Sequence, residues 1–229
     1  MATRSAARQL TPTIVLHTLH GTRPGPTALI QAGIHGDEIA GVHALEELLE
    51  SGFLPDAGRL LIIPVMNPAA YRARQRMAPG GLDLNRCFPG DADAPEVERR
   101  MARLFMDLIE QEKPELVVTL HESMKRYHPE IPVSFGQTLV YGVKPMPPIV
   151  DKVVQRMNDA LENPYERWDS HFFPVATSST EVIVEKMGCI GVCVETWQGF
   201  ELARRVAMQR QVVRTLLEEV GLLGNPLGK

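Results

Sequence analysis

Apolar and polar positions along the chain follow two alternating rhythms. Short continuous apolar runs occupy Ala28 to Ile34, Arg59 to Val65, Glu115 to Leu120 and Gly188 to Val194. Runs of this length predict strands buried on both faces. Between them the apolar residues recur three or four apart. Ile39, Val42, Leu45, Leu48 and Leu49 predict a helix from Glu38 to about Ser51. Pro95 suits the first turn of a helix reaching about Glu112. Pro147 to Leu161 reads as helical, and Phe200 to Val220 as a long amphipathic helix closed by Gly221. Thr13 to Leu19 adds an edge strand, and Val133 to Val143 has room for one or two short strands. Residues 67–93 are irregular, and 162–180 read as a loop carrying Trp168, His171, Phe172 and Phe173. There is no internal repeat and no low-complexity linker. The alternation predicts an α/β fold, a largely parallel sheet covered by helices on both faces. Functional sites in such sheets lie beyond the carboxyl ends of the strands.

The bulk numbers narrow the picture. The chain has 229 residues, 44% hydrophobic and 23% charged, which predicts one domain over 1–229 with a substantial core. A net charge of -4 argues against nucleic acid or an anionic membrane as partner. Three cysteines in a chain of this length give no disulfide framework. Cys189 and Cys193 read as buried free thiols rather than a soft-metal pair. No signal-peptide core or membrane-spanning run is apparent, so a soluble cytoplasmic protein is expected.

The candidate chemistry sits at strand ends. His35 leaves the strand ending at Ile34, and Glu38 falls on the first turn of the following helix. An imidazole and a carboxylate so placed can grip one metal ion. The plainer alternative makes Asp37 or Glu38 a carboxylate favoured by the helix dipole. His121 ends the run Leu116 to Leu120 in the same topological position, where a lone histidine would otherwise be a hydrogen-bonded structural residue. Two His and one Glu form a known ligand set for hydrolytic zinc, with one position left for a water whose pKa falls toward about 7. Glu195, at the end of the run Ile190 to Val194, is the candidate base, since a carboxylate there is costly to bury without a task. Glu181, Glu185 and Glu122 are rivals in more polar contexts. His17, His20, His43, His128 and His171 are not assigned to the metal. His171, with Trp168, is a candidate pocket wall.

Arg72, Arg74, Arg76 and Arg86 fall within fifteen residues of a Gly- and Pro-rich segment. A solvated basic loop would look the same. The functional reading is recognition of an anionic group by guanidinium, or stabilisation of an oxyanion near the metal.

These residues carry a resemblance. His35-Gly36-Asp37-Glu38, the stretch Asn67-Pro68 through Asp83-Leu84-Asn85-Arg86 to Phe88-Pro89-Gly90, Leu120-His121-Glu122 and Val194-Glu195 resemble the zinc carboxypeptidase superfamily, and within it the succinylglutamate desuccinylase/aspartoacylase branch. The resemblance covers about residues 28–200. It implies a three-layer α/β/α sandwich around a mixed, mainly parallel, twisted sheet of about eight strands. It implies that His35, Glu38 and His121 bind one zinc ion per chain and that Glu195 is general base and proton shuttle. Asn85 and Arg86 would hold a substrate carboxylate, and Arg76, with Arg74 as substitute, would polarise the carbonyl. Three departures stand out. Thr119 replaces the aspartate that many relatives carry two residues before the ligand histidine. No tyrosine matches the substrate-capping tyrosine, since Phe172 and Phe173 occupy that part of the chain. No C-terminal β domain of the aspartoacylase type is expected.

The expected function is zinc-dependent hydrolysis of an amide bond next to a free carboxylate, on an N-acyl amino acid or a short peptide. Deacylation is slightly favoured over a small metallocarboxypeptidase or murein-peptide amidase. A non-catalytic carboxylate-binding protein of the same fold is a further alternative. A structural-metal protein would need a fourth ligand that these motifs do not show.

Overall fold

The apolar runs form the middle of one sheet. The computed structural model describes residues 4–159 and 161–224, with backbone alone for Val184 and Glu185. Strands β1 (Ser5–Gln9), β2 (Val15–His20), β3 (Arg23–Gln31), β4 (Ala57–Ile63), β5 (Leu116–Ser123), β6 (Thr138–Tyr141), β7 (Asp169–Phe172) and β8 (Ile190–Trp197) pair in the order β1-β2-β4-β3-β5-β8-β6-β7. The four central strands, β4, β3, β5 and β8, are mutually parallel. β5 is buried at all eight positions, as a strand covered on both faces must be. Antiparallel pairing appears only toward the margins, at β1–β2, β2–β4 and β6–β8.

Helices α1 (Ala40–Glu50), α4 (Pro148–Asp159) and α6 (Leu202–Glu219) cover one face. Val42, Leu45, Val150, Val153, Val212 and Leu216 meet Ile30, Val118, Leu120 and Val194 of the sheet there. Helices α3 (Val97–Glu112) and α5 (Ser179–Met187) cover the other face, where Phe105, Ile109 and Ile183 meet Leu29, Leu61 and Val117. Each such fully buried side chain contributes about 1.5–3 kcal/mol. The short helix α2 (Pro68–Ala73) follows β4, and its Tyr71 packs at the margin of the first core. The result is the mixed, mainly parallel α/β/α sandwich that the patterning and the resemblance implied. The chain leaving β3 enters α1 on one face and the chain leaving β4 runs to α3 on the other, so the connections part beyond the carboxyl ends of the central strands. That is where an open α/β sheet forms its crevice.

Several elements differ from expectation. The strand expected over Thr13–Leu19 is not an edge: β1, exposed at all five positions, pairs outside it. β1 lacks the alternation that betrays a half-buried strand. The stretch 162–180 contains β7, a short half-buried edge strand, and α5 begins at its end. Residues 67–93 contain α2, with Pro68 at its first position and the Asn67 side chain accepting from the Ala70 N–H. Cys87, Cys189 and Cys193 are buried free thiols, as expected for the last two. Among the described residues no helix is long and apolar enough to cross a membrane.

Candidate active site

The loop after β3 carries two of the site's residues. Gly33 turns the chain with φ +63, a region that favours glycine. Gly36 presses against α2 so closely that a Cβ there would lie 2.0 Å from the Ala70 carbonyl carbon. Its N–H donates to the Gln75 carbonyl at 3.0 Å, which draws the segment leading to Arg76 over the loop. His35 therefore sits four residues past the end of β3, and Glu38 precedes α1, whose N-cap is Ile39. The expectation that Glu38 lies on the helix's first turn is thus corrected. The helical periodicity begins at Ile39, and Glu38 is left outside to point into the crevice. His121 and Glu195 likewise fall inside β5 and β8, near their carboxyl ends, rather than after them. They are direct partners in the parallel register.

The three candidate ligands converge. The Glu38 carboxylate lies 2.7 Å from His35 Nδ1 through Oε1 and 2.8 Å from His121 Nδ1 through Oε2. All three residues are buried, and one donor atom from each lies within 4.8 Å of the others. Donor atoms gathered this closely could hold one metal ion. The Glu122 N–H donates to Glu38 Oε2 at 3.1 Å and fixes that carboxylate further. His35 Nε2 meets Asp83 Oδ1 at 3.2 Å, a carboxylate contact that sets the ring's orientation and leaves Nδ1 toward Glu38. Two imidazoles and a carboxylate, buried together, fit a divalent metal ion.

Charge follows geometry. Burial would raise the Glu38 carboxyl, but the two imidazoles outweigh it and hold the group well below the usual carboxylate range. Burial would lower His35, yet Glu38 and Asp83 prevail and hold it at about 9. For His121 burial wins and the ring is lowered. Burial, reinforced by the Glu38 carboxylate, pushes the Glu195 carboxyl well above its ordinary range. Glu195 Oε2 and His121 Nε2 have no hydrogen-bond partner among the described residues, and Cys193 Sγ lies 3.8 Å from Glu195 Oε1.

Arg76 and Arg74 part company. Arg76 reaches Glu38 Oε1 at 3.4 Å and donates to Asp83 Oδ2 from Nε at 3.2 Å and from Nη2 at 3.0 Å. Arg74 stacks over the Tyr71 ring at 4.9 Å and does not line the cavity. Asp83 also caps the tight turn Leu84–Arg86 by accepting from the Asn85 N–H at 2.9 Å. Asn85 Oδ1 accepts from the Ser179 N–H and hydroxyl, which leaves its amide nitrogen toward the cavity. His35, Glu38, Arg76, Asn85, Arg86, His121 and Glu195 all line one cavity of about 350 Å³.

Of the rival bases, Glu122 is committed elsewhere. Its carboxylate meets Arg205 Nη1 at 2.5 Å and accepts the Ala40 N–H of α1 at 3.0 Å, on the opposite side of β5 from His121. Glu181 lines the cavity, and the Glu185 side chain lies outside the described residues. Thr119 meets Thr180 at 3.2 Å; the carboxylate on a candidate ligand ring comes from Asp83 instead. His43 faces Glu46 at 3.3 Å, half-buried on α1. His171 stacks on Phe173 at 5.9 Å and lies tilted against Phe135 at 5.7 Å without lining the cavity, and Trp168 is wholly buried. Asp83 was legible only as part of a motif; its signal was an aspartate opening a turn two residues before Asn85. Gln31, fully buried at the end of β3 with both amide atoms unpartnered among the described residues, gave no sequence signal, since it lies inside an apolar run.

Residues 24–137 match the succinylglutamate desuccinylase/aspartoacylase catalytic domain. A 77-residue stretch is 46% identical to the N-alpha-acetyl-L-2,4-diaminobutyric acid deacetylase of Halomonas elongata, covering 33% of this chain and 22% of that protein. Among solved structures, a succinylglutamate desuccinylase from Silicibacter sp. TM1040 is similar with a TM-score of 0.70 at 26% identity, over 93% of this chain and 62% of that one. The cell shape determinant protein Csd4 of Helicobacter pylori, a D,L-carboxypeptidase, shares the fold with a TM-score of 0.81 at 20% identity, over 91% of this chain and 55% of that one. The chain thus spans less than two thirds of the length of each.

Proposed function

The chain belongs to the succinylglutamate desuccinylase/aspartoacylase family, and on that premise we propose that it hydrolyses an amide bond next to a free carboxylate, as an N-acyl amino acid deacylase. The observation that carries this is the meeting of His35, Glu38, His121 and the buried Glu195 in one cavity with Arg76, Asn85 and Arg86.

His35, Glu38 and His121 would hold a zinc ion, which when bound supplies Lewis-acid polarisation and a more acidic water. Glu195 accepts the proton of the attacking water. Its high proton affinity in an apolar, buried position suits a group that must also give that proton up to the leaving nitrogen. The water oxygen bonds to the carbonyl carbon, the C–N bond breaks, and the amine leaves with the proton from Glu195. Arg76, beside Glu38, faces the oxygen that gains charge. Arg86 and the amide nitrogen of Asn85 bind the substrate carboxylate.

The test is a panel of N-acyl amino acids and short peptides with free carboxylates, run on zinc-loaded protein. Glu195→Gln is expected to lower kcat by about 10²–10⁴-fold while zinc content stays stoichiometric. Turnover of peptides alone would move the reading to a small carboxypeptidase or murein-peptide amidase. No turnover of any member, with no effect of Glu195→Gln, would leave a carboxylate-binding protein.

A further inference from the structure

Between the 76–86 segment and the rim of Val140, Tyr141 and Phe173, on and beside β6 and β7, the cavity rests on the sheet itself. Successive rungs of one face lie there. His121 and Glu195 make the outer rung; Thr119 and Cys193, two residues earlier in β5 and β8, make the rung beneath. One step deeper in β5 the same face is apolar, at Val117. Thr119 is fully buried and Cys193 nearly so. A hydroxyl in that position is costly unless it is bonded. The Thr119 hydroxyl bonds the Cys193 thiol and meets the Thr180 hydroxyl, on the first turn of α5, at 3.2 Å. The thiol in turn lies 3.8 Å from Glu195 Oε1, within the reach of a sulfur hydrogen bond. Cys193 and Thr180 both line the cavity.

These contacts run in one direction. An ionised carboxylate only accepts, so the thiol donates to Glu195. The sulfur then accepts from Thr119, and Thr119 accepts from Thr180. The consequence falls on the two oxygens of Glu195. Oε1 has the thiol as its partner, whereas the buried Oε2 has none among the described residues. Resting on the reading of Glu195 as the base, we propose that Cys193, backed by Thr119 and Thr180, is a positioning residue: it pins Oε1 and presents Oε2 as the atom that takes the proton. Apolar side chains at 119 and 193 would fill the same space but leave the carboxylate free to turn about its last bond.

The experiment separates hydrogen bonding from packing at one position. Zinc-loaded Cys193→Ser, Cys193→Val and Cys193→Ala are compared with the parent on the fastest N-acyl amino acid of the panel above. Cys193→Ser keeps a donor, and Cys193→Val fills the space without one. In Cys193→Val and Cys193→Ala kcat is expected to fall about five- to tenfold, the worth of one weak hydrogen bond, with KM and zinc content unchanged. Cys193→Ser should recover most of that loss, and Thr119→Val should lower kcat about two- to fivefold. Cys193→Ser as slow as Cys193→Val, or Cys193→Val as fast as the parent, overturns the positioning role while leaving hydrolysis standing. The S–H stretching band in the infrared reads the contact without turnover. Assigned by its disappearance in Cys193→Ala, it should move to higher frequency in Glu195→Ala, where the acceptor is gone. An unmoved band overturns the proposal even in an active enzyme. A shifted band in protein that hydrolyses no member of the panel upholds the anchoring of Oε1 and sinks the deacylase reading instead.

Discussion

Asp83 gives the sharpest test of how the site is held together. One oxygen meets His35 Nε2 at 3.2 Å and accepts the Asn85 N–H at 2.9 Å; the other accepts both near donors of Arg76. Asp83→Asn keeps an acceptor for His35 and Asn85 but removes the charge, and it turns an amide N–H₂ toward the Arg76 guanidinium. His35 loses its carboxylate and Arg76 is released. Loss of such a partner to a ligand histidine costs about 10–100-fold in metal affinity, or about 1.4–2.7 kcal/mol. Because the cap on the Leu84–Arg86 turn survives, the zinc-free fold should hold. Asp83→Ala loses that cap as well, at about 1 kcal/mol of stability. Zinc competition against a chromogenic chelator measures the affinity, and thermal melts of zinc-free protein check the fold. A folded Asp83→Asn protein that binds zinc within twofold of the parent would refute the orienting role.

The site also predicts how zinc-free protein responds to pH. His35 is held up at about 9, so its stabilisation is complete below the free value of about 6.5 and is lost as pH rises through about 9. Glu38 and Asp83 are depressed, so theirs is present above about pH 4 and lost in acid. The zinc-free Tm should decline from about pH 6.5 toward 9, a loss to which the raised Glu195 carboxyl adds; zinc-loaded protein, with the ion in place of the His35 proton, should show a smaller alkaline decline. An unchanged zinc-free Tm from pH 6 to 9 would count against the cluster. Arg205→Met strands the buried Glu122 carboxylate and should cost about 3–5 kcal/mol in urea unfolding, whereas an unmoved midpoint would show the pair to be dispensable.

The residues that converge in the candidate site were more legible in the sequence than the frame around them. The four motifs occur in order, and each apolar run beside a motif did become a central parallel strand, because burial on both faces leaves a plain signature. The edges were not legible. β1 and β7 are short, polar or half-exposed, and carry no strict alternation. The strand ends misled by a few residues for one reason. Apolar runs mark burial rather than hydrogen bonding, so Ala32 to Ile34 stayed apolar after β3 had ended, while the polar residues His121 and Glu195 remained in ladders. Asp83 and Gln31 show the other limit, since only assembly reveals what a polar side chain touches.

The pairing of His121 with Glu195 as one rung of the β5–β8 ladder has a further consequence. On the proposed mechanism, the spacing between a metal ligand and the proton carrier is the spacing of neighbouring strands, about 4.8 Å. No loop movement can stretch it, and a slip of one residue would turn Glu195 to the opposite face rather than merely displace it. The geometry that the proposed proton transfer needs is therefore inherited from the sheet as a fixed gauge. Changes of substrate are left to the two flanks, the 76–86 segment and the β6–β7 rim, which can be re-cut without disturbing that gauge.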